Sequence, residues 1–421
     1  MRAKQIGTIA GIAGATAIAV AAGVTVWWTD GADAGSPQDC RITDPSSVGL
    51  SAVHDVSPSG DYLLGSGSGA ALAHKGSKPV NLSIETFAEA LNFDPSDLGF
   101  PGADESHSNN PSAVNSDGTV VGTAVWEDGE SAGGQSPYVS YYHDEGWRYR
   151  DGKITELSLP DDLAARDDEQ NGGWNLALTD INEAGKITGY AVASKSSDQV
   201  PGEPRDFADP DFKVVPLSWQ PGETEAAVLD YESDSDNRTI PSAIHDDGTI
   251  VGIEVAPGPA DDSMKPPPQP HTVWSWSPDS ERKRLPFEDL RFPSTSDEQF
   301  PQIAGDWLLV DNYRWKLFDG GKPEQLDREA EYGENDLHGL FVDDGGRIYG
   351  TRDGAPEVGV GGDTVELPVG SHGKPKDPDY ELTNTSVQGV SADGSVVLGT
   401  HDYAVANGDF DSESFFWRCD V

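Results

Sequence analysis

Carboxylates at alternate positions are the residues of this chain whose types and spacing most directly suggest chemistry. The segment DYESDSDN places them at Asp230, Glu232, Asp234 and Asp236. Oxygen ligands at alternate positions can wrap Ca²⁺, although this segment lacks the glycine and the terminal glutamate of an EF-hand loop. A solvated acidic loop explains the same spacing. Apart from this Ca²⁺ candidate, the sequence predicts no cofactor and no catalytic residue.

The two cysteines, Cys40 and Cys419, are the second candidates for chemistry, and they lie near opposite ends of the range 39–421. In an oxidising compartment such a pair is expected to form a disulfide. A metal site would need further ligands close by in the sequence. We therefore predict a disulfide between Cys40 and Cys419.

Several short motifs of common enzyme classes are absent from the sequence. There is no H-E-x-x-H, Walker loop or C-x-x-C. The segment GSGSGA at residues 65–70 imitates a dinucleotide fingerprint, but no clear helix follows, so we interpret it as a turn. The nine histidines are scattered along the chain, and we interpret them as surface or strand residues rather than ligands.

A short phrase recurs along the chain and indicates which elements must position these residues. It reads apolar, then Asn, Ser, Asp or His, then two small or acidic residues, then Gly, β-forming residues and a second Gly. Copies begin at Val56, Val114, Ile181, Ile244, Val342 and Val390, and a degenerate copy with a shortened loop begins at Ile303. A polar loop ending in glycine is typical of a β-hairpin. The second glycine leaves room for close backbone packing or a bulge.

A second hairpin follows most copies, with an aromatic strand, a glycine turn and a strand that ends in Leu, as in WRYRDGKITEL at residues 147–157. Four antiparallel strands repeated every ~40 to 60 residues are typical of a propeller blade. We predict an all-β, seven-bladed β-propeller over residues 39–421, with six or eight blades as alternatives. Tryptophans recur at the third strands and are expected to pack between blades: Trp147, Trp219, Trp274, Trp276, Trp315 and Trp417.

The last copy is incomplete, because the segment SFFWRCDV stands where a third strand should be and no fourth strand follows it. The segment DCRITD, Asp39 to Asp44, precedes the first copy and resembles a fourth strand without partners. We predict that it supplies the missing outer strand, so that the ring closes by pairing the N- and C-terminal strands. This pairing would place Cys40 beside Cys419.

The phrase resembles the extracellular HAF-type repeat, in which IN-x-x-G-x-IVG is followed by a tryptophan strand and a glycine turn. DINEAGKITGYA followed by LSWQPGE is the copy most similar to it, and the resemblance covers about residues 50 to 419. The His-Ala-Phe triplet that names the family does not occur. The resemblance implies an exported, β-propeller-like repeat protein and supplies no catalytic residues.

The charge and the N-terminal segment indicate where the protein works. A formal net charge of −45 repels nucleic acids and anionic lipids, and it is also typical of exported or salt-tolerant proteins. Arg2 and Lys4 precede an uncharged stretch at residues 5–29, and ADA at residues 32–34 fits a cleavage site. Residues 1–34 are therefore an export signal or an N-terminal membrane anchor. Either places the protein outside the cytoplasm, secreted or anchored to the outer face of the membrane.

These features favour an exported, non-enzymatic module that binds a protein or a cell-envelope glycan partner. We expect a monomer that binds no nucleic acid and contacts the membrane only through an uncleaved N-terminal segment. The alternative is an extracellular propeller hydrolase or lyase with a site at the channel mouth. A structural or sensory ectodomain held to the membrane is a third possibility.

Overall fold

The computed structural model describes much of one compact unit, Gly35–Val421. The described residues are 40–66, 69–82, 108–130, 139–164, 174–193, 213–232, 237–255, 269–279, 281–287, 290–292, 300–310, 312–326, 338–360, 363–369, 380–405 and 410–420. The predicted signal or anchor, residues 1–34, lies outside them.

The described residues form strands almost throughout. In chain order the strands are β1 Arg41–Thr43, β2 Ala52–Val56, β3 Tyr62–Ser66, β4 Ala70–His74, β5 Val80–Asn81, β6 Ser108–Val114, β7 Val120–Glu130, β8 Val139–Arg150, β9 Lys153–Leu157, β10 Trp174–Ile181, β11 Ile187–Ala193, β12 Lys213–Trp219, β13 Ala227–Val228, β14 Arg238–Ile244, β15 Ile250–Val255, β16 Gln269–Trp276, β17 Arg282–Arg284, β18 Arg291–Phe292, β19 Gln302–Ala304, β20 Trp307–Val310, β21 Tyr313–Lys316, β22 Glu324–Gln325, β23 His338–Val342, β24 Ile348–Arg352, β25 Ala355–Val360, β26 Asp363–Glu366, β27 Tyr380–Val390, β28 Val396–Val405 and β29 Phe410–Arg418. A short 3₁₀ helix, Pro45–Val48, and a one-turn α-helix, Asp161–Ala164, interrupt them.

The strands form seven antiparallel sheets, and each sheet is one blade. Blades 1 to 6 are β2–β5, β6–β9, β10–β13, β14–β17, β19–β22 and β23–β26, and blade 7 is β27–β29 with β1. The short strand β18 also pairs with β16. The first strand of every blade lines one cavity, so these first strands surround a common axis. The predicted seven-bladed β-propeller is therefore confirmed.

Blade 7 closes the ring in the predicted way. Strand β1 pairs antiparallel with β29, and Ile42 lies opposite Trp417. Cys40 and Cys419 form a disulfide across a sequence separation of 379 residues. Hydrogen bonds along the sheet and a covalent bond therefore hold the two ends of the propeller together.

The third-strand tryptophans pack between blades and also connect them by hydrogen bonds. Trp147, Trp219, Trp276 and Trp417 are fully buried. The Trp219 indole N–H of blade 3 donates to the carbonyl of Ser158 at 3.3 Å, directly after the terminal leucine of β9 in blade 2. Two further pairs follow the same rule: Trp276 with Asp230 at 2.7 Å and Trp417 with Pro368 at 2.9 Å. The repeated Trp and Leu positions are thus blade-to-blade contacts.

Two of the predicted tryptophans do not follow this hydrogen-bonding rule, although Trp315 packs against Phe287 of the preceding blade as predicted. Trp315 donates within its own blade, to the carbonyl of Gly321 at 3.0 Å. Trp274 is only partly buried, and the Arg282 guanidinium lies 3.6 Å from the centre of its ring. Trp274 lies two residues before Trp276 on β16, and Trp276 makes the hydrogen bond to the preceding blade.

One long hairpin differs from the prediction. The segment from Trp126 to Glu145 is predicted as a surface loop, but the backbones of β7 and β8 pair as far as Glu130 and Val139. Its polar, glycine-rich composition resembles a loop, whereas pairing across the hairpin keeps the backbone hydrogen-bonded beyond the blade core.

Candidate functional site

A cavity of about 240 Å³ lies where the first strands of the seven blades meet. Each of these strands contributes residues near its end, just before the hairpin loop of the repeated phrase. The repeat therefore places equivalent positions around one axis. The side chains at those positions decide what the channel can bind.

A β-bulge turns one extra polar residue of several inner strands toward this cavity. The pairing register shifts at Ser112 in β6, at Thr179 in β10 and at Ser242 in β14. The Thr179 hydroxyl donates to the Pro241 carbonyl of blade 4 at 3.0 Å. The Ser242 hydroxyl donates to the carbonyl of Pro301, before blade 5, at 3.1 Å. The polar groups of the channel wall therefore also join neighbouring blades.

Two carboxylates, Asp55 of blade 1 and Asp180 of blade 3, line the same cavity. The Val114 backbone N–H of blade 2 donates to Asp55 Oδ2 at 3.2 Å. The Ile244 backbone N–H of blade 4 donates to Asp180 Oδ2 at 2.9 Å, and the Ile181 N–H donates to Asp180 Oδ1 at 2.7 Å. Each aspartate therefore connects its own inner strand to that of the next blade.

Burial raises the pKa of Asp55 and of Asp180 to about 7. The backbone N–H donors oppose this shift, because they favour the ionised form. The negative charge of Asp180 adds to the rise at Asp55, and that of Asp246 adds to the rise at Asp180. Both channel carboxyl groups therefore change charge close to neutral pH.

The hairpin loops at this end of the channel form a second set of blade-to-blade bonds. Asn115 Nδ2 donates to the Asn182 carbonyl at 3.2 Å, and Asn182 Nδ2 donates to the His245 carbonyl at 3.0 Å. Ser116 Oγ donates to Glu183 Oε1 at 2.6 Å, and the Glu183 N–H donates to Asp246 Oδ1 at 3.1 Å. The polar positions of the repeated phrase thus connect successive loops.

The described histidines do not line the channel. Among the described residues that line the cavity there is no histidine. His245 lies in a hairpin loop, with its Nδ1 2.9 Å from Asp247 Oδ1. His271 is buried on β16, and burial lowers its pKa to about 4. The structure therefore offers no histidine–carboxylate pair at the axis within the described part of the chain.

The sequence-predicted Ca²⁺ candidate is only partly described. Asp230 and Glu232 follow β13, and the Asp230 carbonyl accepts the Trp276 indole N–H. Asp234 and Asp236 lie outside the described residues. No cluster of three or more His, Cys, Asp or Glu suited to a metal ion occurs among the residues that are described. The Ca²⁺ site stays a prediction.

Sequence reasoning missed Asp55 and Asp180. Carboxylates are so numerous here that a pair carries little information by itself. The available signal was positional, since both residues come directly before the first apolar residue of the repeated phrase, in HDV and TDI. The other copies carry Ala, Gln, Phe or Gly there, so the two acids stand out only once the repeats are aligned by structure.

No family model matches the chain, and no curated protein matches it. A gluconolactonase from Xanthomonas campestris is 15% identical, covers 91% of this chain and 96% of its own, and has a TM-score of 0.32. Kuenenia stuttgartiensis hydrazine synthase is 12% identical, with coverages of 87% and 95% and a TM-score of 0.35. The α-L-arabinofuranosidase of Fusarium graminearum is 12% identical, with coverages of 89% and 94% and a TM-score of 0.31. We draw no functional conclusion from similarities of this size, and the HAF-type resemblance stays a prediction.

Proposed function

We propose that the protein is an exported, non-enzymatic β-propeller that binds a protein or a cell-envelope glycan partner. The observation that supports this best is the use of inner-strand polar groups for blade-to-blade hydrogen bonds, as at Asp180, Thr179 and Ser242. An enzyme site brings a nucleophile, a base and oxyanion donors together. A rigid ring that presents connecting segments suits recognition instead.

We further propose that the protein works outside the cytoplasm. The Cys40–Cys419 disulfide suggests an oxidising environment. Residues 1–34 have the composition of an export signal or anchor. No helix among the described residues is long and apolar enough to cross a membrane. Secretion and anchoring both leave the propeller on the outer side.

Binding can be separated from catalysis in one experiment. The immobilised full chain is exposed to purified cell-envelope glycans and to extracellular proteins, and each bound molecule is quantified and weighed by mass spectrometry. Saturable binding of an intact molecule would support the proposal. Turnover of a bound molecule into a smaller product would contradict it.

A hydrolase is the second candidate, because Asp55 and Asp180 line the cavity and titrate near neutral pH. General acid–base catalysis works best when the pKa of the acting group lies near the working pH. A panel of ester, lactone and glycoside substrates tests this candidate. Hydrolysis by the unchanged protein that Asp180→Asn abolishes and Asp117→Asn retains would favour this candidate. No hydrolysis by the unchanged protein would count against it.

A further inference from the structure

We propose that the central cavity binds a small organic ammonium compound, held by the carboxylates of Asp55 and Asp180 and by oxygen atoms of the surrounding blades. This site is separate from the partner-binding surface in the proposed function, so either proposal can fail without the other. Three properties of the cavity wall support this site: its hydrogen-bonding capacity, its charge and its shape.

Hydrogen-bond acceptors dominate the polar part of the wall. A hydroxyl group has one hydrogen, and those of Thr179 and Ser242 are donated to carbonyls of the next blades. Their oxygens therefore offer lone pairs to a ligand. Gln302 donates one of its two amide N–H groups to the Leu340 carbonyl at 3.3 Å, and its amide oxygen can accept a hydrogen bond from a ligand. A ligand that donates hydrogen bonds fits this wall.

The charge of the wall selects a cation. Asp55 and Asp180 line the cavity, and no Lys, Arg or His does so among its described lining residues. The formal charge of −45 adds a field of the same sign. An anion is repelled, whereas a protonated amine pairs with the carboxylates and donates up to three hydrogen bonds.

The size and the apolar walls favour an amine over a metal ion. A cavity of about 240 Å³ has the volume of roughly eight waters, at ~30 Å³ for each, and a bare ion would leave most of it empty. Val56, Val114 and Ile181 line it beside the acids and can cover methylene groups. The described residues also lack a cluster of three or more metal-binding side chains. A diamine a few carbons long combines the required charge, donors and apolar stem.

Protons compete with such a ligand for the two carboxylates. The groups that act on them are Asp180 at Asp55 and Asp246 at Asp180, and all three are acids. Alkylamines stay protonated up to about pH 10, as lysine does. Binding is therefore expected to strengthen as the pH rises from 6 to 8 and to release protons.

The test is a calorimetric titration of the full chain at pH 8 and fixed ionic strength. 1,4-Diaminobutane is the probe, and 1,4-butanediol is the neutral control of equal length. We expect one diamine per chain and no binding of the diol. Asp180→Asn should weaken the binding of the diamine by about tenfold or more, since a hydrogen-bonded charge pair is lost. Asp117→Asn removes an acid whose side chain is 63% exposed, and it should leave the affinity unchanged.

Two further measurements keep the proposal testable if Asp180→Asn fails to fold. Ser112→Leu keeps both aspartates but places bulk at the cavity wall, and it should also abolish binding of the diamine. Titration of the unchanged protein at pH 7, where both carboxyl groups are about half protonated, in two buffers of different ionisation enthalpy should reveal proton release. Equal binding of the diol, several diamines per chain, or full affinity in Ser112→Leu would overturn the proposal.

Discussion

At the residue scale, two tryptophans on β16 have different surroundings although they are only two positions apart. Trp276 is fully buried and donates to the Asp230 carbonyl at 2.7 Å. Trp274 is partly buried beneath the Arg282 guanidinium. The two residues form a natural pair for measuring what a blade contact contributes to stability.

We predict that Trp276→Phe lowers the free energy of unfolding by about 2 to 4 kcal/mol, because it leaves a cavity at a fully buried position and removes the hydrogen bond to the Asp230 carbonyl. Trp274→Phe should cost less than about 1.5 kcal/mol, since part of that ring already faces solvent. Urea denaturation of both variants measures the difference. Equal losses would show that Trp276 makes no special contact.

The channel aspartates predict an unusual dependence of stability on pH. Their folded-state pKa is about 7, whereas an unfolded aspartate titrates near 3.9. Between these values the folded chain holds more protons than the unfolded chain, so stability falls as the pH rises from about 4 to 7. Each group contributes a slope of up to about 1.4 kcal/mol per pH unit in that window.

The prediction is tested with the double variant Asp55→Asn/Asp180→Asn. Its free energy of unfolding should decrease less between pH 5 and pH 8 than that of the unchanged protein. Asp117→Asn is the control for general charge repulsion in this acidic chain. Its free energy of unfolding should depend on pH as steeply as that of the unchanged protein. Identical slopes in all three proteins would mean that the channel aspartates ionise as they do in an unfolded chain.

At the scale of strands, the second glycine of the repeated phrase is required by the bulge of the inner strand. A Cβ atom at Gly252 would overlap the carbonyl oxygen of Ile240, which lies before the bulge at Ser242. Gly65, Gly122 and Gly189 meet the equivalent carbonyls of their own blades. The sequence-based expectation of close backbone packing or a bulge is therefore confirmed on both counts.

We expect Gly252→Ala to destabilise the protein by about 1 to 3 kcal/mol, because backbone atoms must move to admit the methyl group. Gly321→Ala is the matched control, since no atom lies within 4 Å of the added Cβ there. Thermal denaturation of the two variants compares them. A neutral Gly252→Ala would show that the two strands can separate at no cost.

The elements that could be predicted were those with a local signature. The hairpin loops follow from the polar residues and glycine of the phrase, even in blade 5, where the loop shortens to Gly305 and Asp306 between β19 and β20. The extension of β7 and β8 could not be predicted, because its residues carry no alternating apolar pattern. The aspartate positions were hidden for another reason: their roles depend on a neighbouring blade about 60 residues away in sequence.

At the scale of the whole molecule, the ring closure depends on β1 and on the disulfide. In the sequence alone, three features point to this closure: the incomplete last repeat, the unpartnered DCRITD segment and the cysteine pair. The side chains that line the cavity could not be foreseen in this way, because they come together only when seven inner strands meet.

Removal of the disulfide by Cys40→Ser/Cys419→Ser is predicted to lower stability by up to about 5 kcal/mol, since it links residues 379 positions apart. Comparing urea midpoints with and without a reductant measures the effect in the unchanged protein. The double variant should match the reduced protein and should not respond to reductant. An unchanged midpoint would mean that β1 pairing alone closes the ring.

The link between Cys40 and Cys419 also changes what a protease can do to this protein. A single cut of the backbone anywhere between the two cysteines opens the chain but leaves both fragments covalently joined. The product has new chain ends at the cut, while the disulfide still joins the original terminal strands. Its connectivity therefore resembles that of a circular permutant, with a disulfide in place of the new peptide bond. On a denaturing gel it should run as an intact chain until reductant is added. A protein built in this way can be nicked once and still keep all seven blades in one molecule.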